Sequence, residues 1–245
     1  MKIAVLGAES TGKSQLAGEL ADAFRRHGKT VSLVDEYLRE WCALHGRTPR
    51  ATEQVLIAHT QGQRVEQTQQ VNQAGAAVAA PNHVANHVAN HVVVADTTAL
   101  MTAVYSDLLF NDKSLYEFAT AHQRSYDITL ITGLDLPWIA DGLQRDGPHT
   151  REPTDNLLRR ALDRASLPYR VVYGRGAARL ENALRAVHAM QSIANYSIRT
   201  WENDDFSPQT LPDANPPAKK PVWTWPCDKC SDPDCEHRLF SQLLR

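Results

Sequence analysis

No stretch of this 245-residue chain approaches the run of roughly 20 apolar residues that a helix needs to cross a bilayer, which leaves no candidate transmembrane helix. Excess positive charge is missing too. Twenty-six Lys and Arg face 28 Asp and Glu, a formal net charge of −2, so the chain lacks the field expected of a dedicated nucleic-acid binder. Cysteine is scarce: Cys42 stands alone, and Cys227, Cys230 and Cys235 crowd near the end, a spacing that excludes a disulfide framework. Met1-Lys2 leads straight into an apolar segment with no leader pattern, and together these absences predict a cytoplasmic protein. What is present is 42% hydrophobic residues in a length that suits one sizeable α/β domain plus an appendage.

The segment Gly7-Ala8-Glu9-Ser10-Thr11-Gly12-Lys13-Ser14 fits G-x-x-x-x-G-K-[ST] at every fixed position. Its glycines allow a tight turn that aims backbone N–H groups inward, its lysine adds a positive charge, and its terminal hydroxyl suits Mg²⁺. The context agrees: "KIAVL" reads as a strand, and "SQLAGELADAFRR" carries Leu16, Leu20, Ala23 and Phe24 at helical spacing up to Gly28. Strand, glycine loop and helix in that order set a helix start against an anion. Gly7, Glu9, Ser10, Thr11, Gly12, Lys13, Ser14 and Gln15 are the candidate nucleotide-binding residues.

Strands and helices then alternate. A strand near Thr30–Val34 precedes helical "YLREWCALHG", and a long polar helix follows in which Val55, Leu56, Ala58 and Val65 are the apolar positions. "HVVVAD" is nearly all β-branched, as a parallel strand buried on both faces requires, and "DITLIT" and "YRVVYG" are the last two strands. The order predicts a parallel sheet with helices on both sides and ligands outside the carboxyl ends of its strands. Asp35, Glu36 and Asp96 fall at that edge. Beside a phosphate loop, one acid anchors Mg²⁺ and another accepts a proton from an attacking hydroxyl. Asp96 suits the first role, Glu36 or Asp35 the second; helix capping is the alternative, and Asp96 before "TTAL" fits a cap.

Two segments stand apart. Residues 76–91 form a low-complexity insertion in which His83, His87 and His91 recur every fourth residue; a tandem duplication explains them better than a metal site does. Residues 198–222 read as a proline-rich linker, which bounds the main domain at 1–197. The tail, 223–245, places Cys227, Cys230, Cys235 and His237 as C-x₂-C-x₄-C-x-H, a ligand set for structural Zn²⁺. The last interval is tight, so an Fe–S cluster and an unmetallated tail both stay open, as does a protein partner bound through this segment.

"GAESTGKS", "DEYLREW", "ADTTALMTAVYSDLLF" and "LDLPWIADGLQRDGPHTREP" together resemble the NadR-type P-loop kinase/ATPase domain over residues 1–195, the 76–91 insertion aside. The resemblance implies a nucleoside-monophosphate-kinase-like fold and ATP-dependent phosphorylation of a small nucleoside, foremost the 5′-hydroxyl of nicotinamide riboside. By motif, Gly12, Lys13 and Ser14 would hold ATP phosphates and Mg²⁺, with Asp96 in the Walker B position. Asp35, Glu36 and Tyr37 would face the nucleoside. "PWIADGLQRDG" would be a lid, with Trp138 and Asp141 near substrate and Arg145 or Arg151 closing on the transferred phosphoryl group. A solvated loop arginine and a packed tryptophan are the competing explanations there. Two functions follow: a kinase, or an ATP-responsive interaction protein with no small-molecule acceptor.

Overall fold

The structure, a computed structural model, describes residues 1–78, 91–139 and 147–203, with side chains over 1–70, 91–139 and 147–192. Five strands form one parallel sheet: β1 (Lys2–Leu6), β2 (Thr30–Val34), β3 (His91–Asp96), β4 (Ile128–Thr132) and β5 (Arg170–Val172), in the order β2-β3-β1-β4-β5. Helices α1 (Lys13–Arg26), α2 (Tyr37–His45), α3 (Gln54–Val78), α4 (Ala99–Phe110), α5 (Tyr116–Gln123), α6 (Arg151–Arg164) and α7 (Gly176–Asn203) alternate with them. The chain divides into the units Met1–Ala189 and Met190–Arg245. None of the described helices is long and apolar enough to cross a membrane.

The central strands are apolar without alternation because helices cover both faces. Ile3, Ala4, Val5 and Leu6 of β1 have no exposed surface, and every residue of β4 is buried. Burial of side chains such as Ile3, Leu100 and Leu130 contributes about 1.5–3 kcal/mol each, which fixes the sheet as a rigid platform. Val5 pairs with Asp96 and Leu6 with Ile131 in register. The loop after β1 therefore emerges between the carboxyl ends of β3 and β4. The chain reaches β2 and β3 on one side of β1 and then crosses to β4 on the other, so this is the switch point where open α/β sheets bind ligands.

Several details depart from the sequence reading. Of the apolar positions read on α3, Ala58 and Val65 are buried, whereas Val55 and Leu56 are 45% and 58% exposed; Ile57 and Gln61 complete the buried face. A buried glutamine interrupts the apolar stripe, which hides the helical period. Helix α3 runs to Val78 and β3 starts at His91, so the 76–91 insertion overlaps both, and His91 meets the Ser32 hydroxyl at 3.1 Å. Helix α7 is described as far as Asn203, so helical backbone extends past residue 197. The tail with Cys227, Cys230, Cys235 and His237, and also His83 and His87, lies outside the described residues.

Candidate functional site

The glycine loop is built by two close approaches. A Cβ on Gly7 would stand 2.2 Å from the Thr132 hydroxyl, and Gly7 itself adopts φ +145°. Only glycine lets the backbone pass that close to β4 in that conformation. Gly12 precedes α1 at φ +73°, and no side chain caps the helix, which leaves first-turn N–H groups for a ligand. Thr11 is fully buried; its hydroxyl meets the Ala8 carbonyl at 2.7 Å and the Thr132 hydroxyl at 2.6 Å. Gly7 and Thr11 thus shape the loop from behind. Glu9, Ser10, Gly12, Lys13, Ser14 and Gln15 line the space in front.

Lys13 donates to the Ala8 carbonyl at 2.9 Å, curled back over the loop. Burial pulls its ammonium below the ordinary lysine value of 10.5, while Glu36 and Asp96 oppose the shift. Asp96, at the end of β3, is 4% exposed. Burial pushes its carboxyl up from 3.8, with Glu36 adding to the rise and a hydrogen bond from Ser14 opposing it. Capping does not explain Asp96, because Thr98 is the cap: its hydroxyl accepts from the Leu100 N–H at 3.3 Å. Oδ1 of Asp96 is buried without any hydrogen-bond donor among the described residues. A buried carboxylate oxygen with no donor, joined to a loop hydroxyl, is the donor set expected for Mg²⁺ beside phosphates. The Asp96 and Ser14 oxygens fit that ion; among the described residues no group of three or more His, Cys, Asp and Glu could hold a metal alone.

Glu36 stands just before α2, its side chain only 12% exposed, and Arg39 one turn later pairs with it at 3.3 Å. The pairing sets a guanidinium within electrostatic reach of Lys13 and Asp96. Gln61 of α3, 2% exposed, locks this corner. Its carbonyl accepts from the Tyr37 N–H at 2.7 Å, and its amide donates to the Asp35 and Thr97 carbonyls at 3.4 Å each. One side chain thereby ties the ends of β2 and β3, where Glu36 and Asp96 sit.

Two cavities flank the loop. The first, of about 660 Å³, runs from Lys13 past Glu36 and Arg39 to Arg50, walled by Leu38, Tyr105, Leu109 and Phe110. The second, of about 570 Å³, lies between Gln15 and Glu19 of α1, Leu136 and Pro137 after β4, and Arg175 and Arg179 after β5. Arg179 is 4% exposed and donates to the Thr11 carbonyl at 2.7 Å and the Gly174 carbonyl at 3.1 Å, with Asp135 at 3.8 Å. Burial lowers the pKa of its guanidinium.

The remaining candidates fall elsewhere. Asp35 is exposed and meets the site through its carbonyl, and the Tyr37 ring lies 4.4 Å under the Arg64 guanidinium; neither lines either of these two cavities. Gln15 lines both cavities, its amide bonded to Glu19 at 2.8 Å. Trp138 is half-buried and lines neither, and its indole N–H has no acceptor among the described residues. Next to it, the Ile139 N–H donates to the Ser10 hydroxyl at 2.7 Å, so the segment after β4 crosses the phosphate loop. Arg151 donates to the Leu134 carbonyl at 3.2 Å and anchors the start of that segment. Asp141 and Arg145 lie outside the described residues. Gln61, Arg179, Arg39 and Arg50 had no signal in the sequence beyond polar residues in helices and turns.

Among solved structures, the NadR protein in complex with NR is similar at 18% identity and a TM-score of 0.55, covering 77% of this chain and 50% of that one. The NadR protein in complex with NAD and AMP-PNP is similar at 20% identity and a TM-score of 0.54, covering 78% and 49%. Thymidylate kinase from Ehrlichia chaffeensis matches at 11% identity and a TM-score of 0.50, covering 78% of this chain and 98% of that one. The chain spans about half the length of the two NadR structures, and at these identities the likeness is one of fold. No curated protein matches by sequence. A family model described as an AAA domain matches residues 2–179, most of the chain and all five strands with the phosphate loop, and the chain belongs to that family.

Proposed function

We propose that the protein is an ATP-dependent kinase of a small nucleoside, with the 5′-hydroxyl of nicotinamide riboside as the first acceptor to test. The observation that carries this reading is the cavity of about 660 Å³ with Lys13 and Ser14 at one end and the Arg39-paired Glu36 on its wall. A nucleotide-responsive protein with no acceptor needs no such room beside its phosphate loop. NadR, whose structures carry NR in one case and NAD with AMP-PNP in another, supports a nucleoside and a nucleoside triphosphate as the ligand classes.

The loop amides and Lys13 would hold the β- and γ-phosphates, and the second cavity, closed by Arg179, has room for the base and ribose of the donor. Mg²⁺, held by the Ser14 hydroxyl and Asp96, would neutralise charge on the phosphates. Glu36 accepts the proton of the acceptor hydroxyl as its oxygen bonds to the γ-phosphorus. The bond from that phosphorus to the β–γ bridging oxygen breaks, and ADP leaves with the electron pair. Lys13 and Arg39 face the charge that spreads over the equatorial oxygens. Arg145 and Arg151 of the segment after β4 are proposed as further positive charges on closure, with Trp138 and Asp141 near the acceptor.

The test is a nucleoside panel with radiolabelled ATP on wild type, Lys13→Ala and Glu36→Gln. Acceptor-dependent transfer lost in both variants supports the kinase. Slow ATP hydrolysis indifferent to every nucleoside replaces it with the nucleotide-responsive reading.

A further inference from the structure

Within the kinase reading just given, we infer that Arg50 makes the far end of the acceptor cavity an anion site, selecting acceptors with a carboxylate distal to the reacting hydroxyl. Arg50 precedes a 3₁₀ turn, Ala51–Glu53, in extended backbone with φ −82° and ψ 166°. Glu53, three residues on, is the carboxylate that would ordinarily neutralise it. Both Glu53 oxygens are already taken. Arg47 donates to Oε1 at 2.7 Å and to Oε2 at 2.8 Å, and the Arg50 backbone N–H donates to Oε2 at 2.7 Å. These bonds hold the Glu53 carboxyl down at about 2. Arg47 is itself fixed, its guanidinium 4.9 Å over the ring of buried Trp41. The turn is thus held through its backbone; the Arg50 guanidinium acts on Glu53 only through its field, makes no close ion pair among the described residues, and lines the cavity.

The charges around the cavity leave that guanidinium in surplus. Among the described residues, Lys13, Arg39 and Arg50 face Glu9 and Glu36 across it. Lys13 belongs to the donor phosphates and Arg39 to Glu36, so Arg50 is the cation available to the acceptor. It is also remote from the transfer. Glu36 opens α2, whose nine residues run about 13 Å, and Arg50 follows the other end of that helix. An acceptor whose accepting group is itself a phosphate would put its anion at the wrong end. The apolar walls, Leu38, Leu109 and Phe110, would hold the body of the acceptor between its hydroxyl and its anion. Arg50 is exposed, so its bond to a carboxylate is partly screened and the expected discrimination is about tenfold.

The experiment pairs acceptors that differ only by carboxylate against carboxamide: nicotinate riboside with nicotinamide riboside, and 5-carboxyuridine with 5-carbamoyluridine. For the full chain with Mg·ATP, kcat/KM is measured for each, and affinity is measured by calorimetry in the presence of Mg·AMP-PNP. Wild type should prefer the carboxylate of a pair by about tenfold, Arg50→Gln should bring the ratio near unity, and Arg50→Glu should reverse it. A preference for the carboxamide, a ratio unchanged by both substitutions, absence of binding by all four, or tighter binding of the 5′-monophosphates overturns the inference. Discrimination in binding that follows Arg50 without any phosphoryl transfer upholds the anion site while removing the kinase.

Discussion

The guanidinium of Arg179 donates to the carbonyl of Thr11 at 2.7 Å, joining the glycine loop after β1 to the turn after β5. The residues are 168 positions apart. The same group reaches the Gly174 carbonyl, and Asp135 lies beside it while accepting from the Gly174 N–H at 2.7 Å. Arg179→Met leaves the buried Thr11 carbonyl without this donor, and such losses cost about 1–3 kcal/mol. For a chain of this size that is a fall in Tm of several degrees. The loop would also lose its brace, so KM for ATP should rise more than KM for the acceptor. An unchanged melting curve together with unchanged ATP affinity would show that the contact is dispensable.

Gln61 is the second brace, and it serves the other side of the site. Gln61→Glu keeps the acceptor for the Tyr37 N–H but removes the donor to Asp35 and Thr97 and buries a charge. Glu36 and Asp96 would then be held less tightly, and a misplacement on the order of 1 Å at reacting groups costs up to about a hundredfold. We expect kcat to fall at least tenfold with KM for ATP little changed. A variant whose loss lies wholly in ATP affinity would sink this assignment.

The phosphate loop was legible because its chemistry is local. Eight consecutive residues carry the turn, the charge and the hydroxyl, and the β-branched run of β3 delivers Asp96 to the adjacent edge. Helix α2 was equally readable, since Gly46 at φ +66° ends it with its N–H bonded to the Cys42 carbonyl at 2.8 Å. Gln61, Arg50 and Arg179 were silent for the opposite reason. Each resembles an ordinary surface polar residue until the fold brings it against backbone or cavity far away in sequence. Asp96 was ambiguous between cap and ligand, and the Thr98 bond to Leu100 takes away the first of these. On α3, Ala58 and Val65 are buried as apolar positions should be, but Val55 and Leu56 are exposed, and Gln61 occupies a core position that apolar periodicity assigns to a hydrophobe.

Gly7 offers a test of the loop's geometry. Gly7→Ala forces a methyl group within 2.2 Å of the Thr132 hydroxyl and into an unfavourable φ. Overpacking of this kind costs about 1–3 kcal/mol before backbone strain is added. The variant should melt lower and lose the rise in Tm on adding Mg·ATP. Thr132→Ala in the same chain removes the clashing oxygen and should restore part of the stability. Full nucleotide-induced stabilisation in the single variant would show that the loop yields easily.

Asp96 couples stability to metal binding with opposite signs. Its folded pKa is raised, first by burial and then by Glu36, so the folded state holds the proton more tightly than the unfolded state does. The stability this contributes is complete below 3.8, the ordinary value, and is lost as pH rises through the folded pKa. At neutral pH the empty site therefore carries a destabilising charge. Asp96→Asn removes it and should raise the Tm of the nucleotide-free protein by roughly 2–4 °C per kcal/mol recovered. Binding of Mg²⁺ requires the carboxylate, so in the wild type the Mg·ATP-induced rise in Tm should fade as pH drops, starting above 3.8. In Asp96→Asn that rise should be absent at every pH. A variant that melts lower than wild type, or that keeps the full response to Mg·ATP, would remove Asp96 from the metal side of the site.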